Sequence, residues 1–339
     1  MKNLKKIGLS ALASSLVAVS AQAAEMSVTG TSELTYTTGG GEAGSTTGNP
    51  FGSNTSIKFA GSGDVGFGTA SIVRTLNDNN GDNSTTASNE YVSAYTMLDM
   101  GDIGTFMFDS TGGAITGIRA NRDKLPTAYE EVWHGVGGHG LLSAGTANVL
   151  GYKNSFGGMS VNIAHVKADA ASGTGDGGSS GAGSTESSTD VYVQLDDTGV
   201  EGFTAGFGVH TQSNDTLPAG ATGEDSSLLA NVNYVVGSVS LGYRNNQSQS
   251  GTAGTAGQNV DGYAIAFAVN EQLSVSLAMQ DREFDNVSTT NVTEESSAIN
   301  ASYTVGSASV RVSYGESENA AGVVNSDDEN TEISLLLSF

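Results

Sequence analysis

Cysteine is absent from the 339 residues, which excludes a disulfide framework and thiolate metal centres. Proline occurs three times and tryptophan once. Lys and Arg together number 13 against 36 Asp and Glu, a net charge of -23. Nucleic acid, which needs basic patches, is excluded as a partner. Past the N-terminal segment no run of about 18 apolar residues occurs, so no helical membrane span is expected. No long segment shows helical periodicity. Chemistry-bearing motifs are missing too. The glycine-rich stretches contain no Gly-Lys-Ser/Thr phosphate loop and sit between strands rather than before helices. His134, His139, His165 and His210 are dispersed, with no nucleophile elbow. Neither an enzyme, a cofactor nor a resident metal is expected. Asp78–Asn83 and Thr174–Ser184 superficially resemble calcium loops. The first lacks the distal bidentate Glu and the second occurs only once, so both read as external loops.

What is present begins with a compartment signal. "MKNLKKIGLSALASSLVAVSAQAAE" carries Lys2, Lys5 and Lys6, an apolar core near Ile7–Val19, and the small-x-small triplet Ala21-Gln22-Ala23. It reads as a secretory signal peptide, 1–23, cleaved after Ala23. Losing three lysines and no acid takes the net charge to about -26.

The remainder, 24–339, alternates with period 2 almost throughout. Leu273, Val275, Leu277 and Met279 stand opposite Ser274, Ser276 and Gln280, and Val310, Val312 and Tyr314 opposite Ser309, Arg311 and Ser313. Each such segment runs about 8–12 residues. The connections alternate as well. Seven are short: Gly61–Asp64, Asp99–Asp102, Phe156–Gly158, Asp197–Gly202, Gly237-Ser238, Asn270–Gln272 and Gly306-Ser307. Eight are long, the third being Ser110–Thr146. Sixteen strands result, with both ends on the short-turn side.

Short turns on one side and long loops on the other predict an all-β fold: a transmembrane antiparallel β-barrel of 16 strands. The polar faces are Ser, Thr, Asn, Gln and small residues, suited to lining water. The apolar faces carry Tyr36, Phe203, Tyr234, Tyr243, Tyr263, Tyr303 and Tyr314 near segment ends, as interfacial aromatic girdles. Lipid forces closure, because an open edge leaves backbone groups unpaired. A secreted sandwich or solenoid shares the alternation but not the combination with the leader, the loop asymmetry and the ending "EISLLLSF". In that last strand Ile333, Leu335, Leu337 and Phe339 share one face.

These features, with "AQAAEMSVTGTSELTY" at the leader junction, "AGSGDVGFGTASIVRTL" running through a short turn into the third strand, and "DMGDIGTFMFDSTGG" leading into the third loop, resemble the general bacterial porins. These are sixteen-stranded trimeric diffusion channels of Gram-negative outer membranes. The resemblance covers nearly all of 24–339. It implies a location in the cell outer membrane, a homotrimer, and small hydrophilic solutes and ions as cargo. It also implies a third loop (about 110–146) folded into the lumen to narrow it. Terminal Phe339 resembles the signal read by the outer-membrane assembly machinery. Many relatives end the strand before this loop in Gly-Arg; here Asp109-Ser110 stand instead, and a Pro-Glu-Phe-Gly turn is missing.

Alternation nominates Lys58, Arg74, Lys153, Arg244, Arg282 and Arg311 as lumen-facing cations. The family places wall cations on early strands opposite the third loop, where Lys58 and Arg74 lie. Asp123, Glu130 and Glu131, with Asp109 at the loop's root, are the candidate acidic side of the constriction. Arg119, Arg122 and Lys124 sit in the same loop as possible partners of those acids. Few cations overall predict a mildly cation-selective passage. His134 and His139, at i and i+5, are poorly spaced for a two-ligand site and read as loop packing or pore lining. Trp133 reads as a hydrophobic peg. The alternative is a surface adhesin or structural barrel whose third loop plugs the bore.

Overall fold

The computed structural model describes residues 25–41, 49–78, 91–111, 116–144, 148–167, 186–214, 224–251, 255, 257–285 and 291–339. The expected leader, 1–23, lies outside them, as do 79–83 and 174–184 of the two calcium-like stretches.

Sixteen strands follow in order. They are β1 (Glu25–Gly41), β2 (Phe51–Asp64), β3 (Thr69–Asp78), β4 (Tyr91–Asp99), β5 (Thr105–Thr111), β6 (Val149–Phe156), β7 (Met159–Val166) and β8 (Glu186–Leu195). The second half comprises β9 (Phe203–Asn214), β10 (Asp225–Val236), β11 (Val239–Gln249), β12 (Gly257–Ala268), β13 (Leu273–Asp285), β14 (Val292–Val305), β15 (Ala308–Glu318) and β16 (Asp328–Ser338). Each pairs antiparallel with its chain neighbours, and β1 pairs with β16, so the sheet is a closed barrel. The last residue completes the seam: Gly30 N–H donates to the Phe339 carbonyl at 2.8 Å, and Phe339 N–H to that of Gly30 at 2.9 Å.

The faces sort as the alternation requires. On β13, Leu277 is 48% exposed, while Ser276 and Ala278 beside it are 5% and 4% exposed. The bulky residues look outward and the small or polar ones inward, the reverse of a water-soluble domain. Outward aromatics pair across strands: Tyr36 with Phe51 (ring centroids 5.3 Å), Tyr243 with Tyr263 (5.2 Å) and Phe106 with Tyr152 (5.1 Å). Above Met279 the outward face becomes acidic. Asp281 stands directly opposite Glu295, and Glu295 opposite Glu318. Charges on the outward face are costly within hydrocarbon, so this row marks the upper limit of the lipid band on that side.

One turn differs from its sequence assignment. Gly61–Asp64 belongs to β2, with Gly61 opposite Ile72 and Gly63 opposite Ala70. The chain reverses four residues later, at 65–68. There Gly66 takes φ 88° and its N–H reaches Asp64 Oδ1 at 2.7 Å. Glycine density pointed to the earlier site, but the positive φ at Gly66 decides the bend. The other six short turns fall where the sequence put them. Gly157 and Gly158, both at positive φ, form a tight two-residue hairpin.

The Phe339 ring lies over Gly30, where a Cβ would collide with it. Gly30→Leu is therefore expected to lift the ring from the seam and cost about 1–3 kcal/mol. A urea midpoint followed by circular dichroism reads this; an unchanged midpoint would show that the ring contributes nothing to closure.

Candidate functional site

The barrel's interior is not uniformly wet. The third long loop leaves β5 and turns inward, and its described part, 116–144, runs along the inner wall. On its way out Ile118 packs on Gly208 of β9 and Leu125 on Gly262 of β12, and Pro126 rests on Gly242 of β11. Ala128 N–H donates to Ser276 Oγ on β13 at 2.9 Å. Tyr129 then reaches Glu33 of β1 and Glu332 of β16. The return leg passes the same wall. Ser317 donates to the Val136 carbonyl at 2.9 Å, Gln280 to that of Gly138 at 3.0 Å, and Asn246 to that of His139 at 2.9 Å. Leu142 N–H reaches Ser227 at 2.9 Å, and Ala144 N–H reaches Asp190 at 2.9 Å.

The wall accepts the loop because it is built of small residues there. Leu125 and Val132 pack with Ala264, Ala278 and Ala298, and Trp133 adds its ring at the edge. A side chain at Gly242, Gly262 or Gly208 would occupy the space that the loop fills. Trp133 thus pegs the loop to the wall as its sequence context predicts.

Three wall arginines grip the loop or its surroundings. Arg244, fully buried, donates to Asp123 Oδ1 at 3.2 Å and Gln280 Oε1 at 2.6 Å, and stacks 4.5 Å from the Trp133 ring centroid. Arg282 pairs with Glu294 at 3.5 Å and donates to Gln258 at 2.8 Å, beside Gly138. Arg311 pairs with Glu33, donates to Ser334 at 3.0 Å, and lies 4.3 Å from the Tyr129 ring centroid. Each of these three arginines therefore carries a carboxylate counter-ion. Burial holds the Asp123 carboxyl above its ordinary range, with Arg244 opposing that shift. Burial likewise raises Glu130, against the pull of His134. His139 is pushed down to about 4 by burial and by the surrounding arginines. Its neutral Nδ1 accepts the Leu141 N–H at 3.0 Å.

Of the remaining nominees, Lys58 is exposed on the inner face, opposite Thr29 and Thr75. Lys153 is exposed close to the short-turn rim. Arg74 is a correction. It pairs directly with Phe59 and is flanked in register by outward Ile72, so it lies on the outer face and not opposite the loop. Register shifts on both edges of β4 lie beside it, and its guanidinium donates to the carbonyls of Val73 and Tyr95 at 2.7 and 3.1 Å. Asp109 faces inward opposite Tyr95 but is buried. Glu131 is half-buried and has no ion pair among the described residues. Glu33, Glu332 and Tyr129 were not singled out from sequence. Glu33 and Glu332 sit at inward positions of the alternation, and that parity was the available signal.

The interior is thus asymmetric. Inward residues of β8–β14, such as Tyr192, Asn231, Arg244, Gln280 and Asn300, are buried beneath the loop, whereas inward Thr29 and Lys58 on β1 and β2 are exposed.

A family model described as Gram-negative porin matches residues 8–336. No curated protein matches the chain. Among solved structures, the barrel is similar to OmpF of Salmonella typhi, in a complex with daunomycin. The TM-score is 0.71 at 13% identity, covering 94% of this chain and 99% of that one. It is also similar to a loop L8 deletion mutant of OmpT, an outer membrane protein of Vibrio cholerae, at TM-score 0.67, 12% identity, and 94% and 100% coverage. An anion-selective porin from Comamonas acidovorans follows at 0.63, 12%, and 93% and 100%.

Replacing Arg244 by Leu leaves the largely enclosed Asp123 carboxylate without its cation. Arg244→Leu is expected to cost about 3–5 kcal/mol and to expose 116–144 to protease. Unchanged thermal unfolding and an uncut loop would show that this ion pair does not hold it.

Proposed function

The chain belongs to the Gram-negative porin family and is an outer-membrane β-barrel, and on that premise we propose a passive, mildly cation-selective channel for small hydrophilic solutes and ions. The interior asymmetry carries this reading. A plugging loop would cover the inner wall all round, but Thr29 and Lys58 stay exposed. Water-filled space along the inner wall at β1 and β2 is then the conduit. No bond is made or broken. Passage is filtered by width and by fixed charge at the narrowest level.

The sign of the selectivity follows from which charges remain unpaired. Arg244, Arg282 and Arg311 are each neutralised by a carboxylate partner. Lys58 and Lys153 remain as exposed cations of the inner wall, and the whole chain carries -23. The outer surface is fitted to lipid at its aromatic levels. Assembly as a homotrimer, leader cleavage after Ala23, and use of Phe339 by the assembly machinery complete the proposal. Arg74 on the outer face supports a protein-covered sector, because a charge facing hydrocarbon near mid-depth costs about 2–4 kcal/mol.

Planar-bilayer recordings test the channel. Discrete conductance steps are expected; persistent silence would favour the plugged, structural barrel. Under a salt gradient the reversal potential should indicate cation preference, and Lys58→Glu should increase it. Anion preference in the unmodified protein would reject the assigned sign.

A further inference from the structure

Where the third loop crosses toward β16, it brings together three side chains that the packing described above does not require. Glu130 and His134 stand four residues apart in the loop, and Glu332 projects from β16. Glu130 Oε2 is 3.2 Å from His134 Nδ1, and Glu332 Oε2 is 3.1 Å from His134 Nε2. One ligand atom from each residue lies within 4.8 Å of the other two. The side chains of Glu130, His134 and Glu332 are 21%, 34% and 10% exposed, so lumen water reaches the group.

The charges do not balance. Two carboxylates meet one imidazole, and the nearby guanidinium of Arg311 is already engaged by Glu33 and Ser334. Tyr129 and Thr37 hydroxyls donate to Glu332 but add no charge. A proton on His134 fills only part of that deficit.

We propose that Glu130, His134 and Glu332 form a binding site for a divalent transition ion, Zn2+, Ni2+ or Cu2+, which ties the third loop to β16. Imidazole with carboxylates suits these ions, whereas Ca2+ takes six or more oxygen ligands. Two ligands on a tetrahedral ion at about 2.1 Å stand about 3.4 Å apart, close to the spacing of His134 Nε2 and Glu332 Oε2. Glu130 contacts the opposite ring nitrogen, Nδ1, and must rotate away from it to share the ion, with lumen water completing the shell. The ion supplies two positive charges where two carboxylates meet, and it bridges a loop to a strand. The site itself does not depend on ion conduction. Its effect on selectivity, a weaker cation preference when loaded, rests on the channel reading.

Trp133, the only tryptophan, directly precedes His134 and is a built-in reporter. Cu2+ titrated into the purified full-length protein in detergent should quench its fluorescence saturably, at one ion per chain, and Zn2+ should restore it. His134→Gln and Glu332→Gln should each weaken the apparent affinity by about tenfold or more. His139→Gln should not, although the His139 ring lies 5.6 Å from that of Trp133. His134→Cys should recover Zn2+ binding by calorimetry while losing the imidazole hydrogen bonds, which separates ligation from folding. Quenching that persists in His134→Gln, disappears only in His139→Gln, or never saturates would overturn the site.

Discussion

A strand in hydrocarbon cannot leave its backbone N–H and C=O groups unpaired, and every other feature of this molecule is arranged around that constraint. The pairing of β1 with β16 removes the last free edge, and the reciprocal bonds between Gly30 and Phe339 extend the seam to the final residue. Once the wall is closed, the period of two assigns each side chain to lipid or to lumen. Leu277 and Ser276, one position apart, end up in different solvents.

With its bulky residues committed outward, the wall has little apolar surface to offer inside. The buried apolar clusters therefore form between the wall and the third loop. Leu125, Val132 and Trp133 meet Ala264, Ala278 and Ala298, while Ile118 and Leu141 meet Tyr192 and Leu229. The arginines complete the attachment. Arg244 is enclosed with a carboxylate, an amide and an indole face. Such a buried pair is weak as a source of stability but strong in fixing one arrangement, because removing either member leaves a lone charge.

Much of this was legible in the sequence. The alternation gave sixteen strands and their faces, and the contrast of short and long connections gave the polarity of the barrel. The family resemblance, rather than the length of 110–146 alone, singled out the loop that turns inward. Local chemistry was less legible. Lys58 was placed correctly on the inner face, but Arg74 was not: Ile72 and Arg74 share a parity, and the apolar residue should have decided it. Arg244 and Arg311 were assigned inward correctly, yet nothing local revealed that they would be consumed by Asp123 and Glu33, 121 and 278 residues away in sequence. Glycines on the inner wall carry no local signal of their role in the sequence. Their meaning, room for Pro126, Leu125 and Ile118, appears only when the loop lies on them.

The one-sided seating of the loop has a mechanical corollary. The arc from β8 to β14 is backed by packed side chains, whereas the wall at Thr29 and Lys58 is a single sheet thick. Lateral squeezing would bend the thin arc first, much as a half-lined tube flattens on its unlined side. Compliance and water then share the same sector of the cylinder, leaving the buttressed arc to keep its curvature.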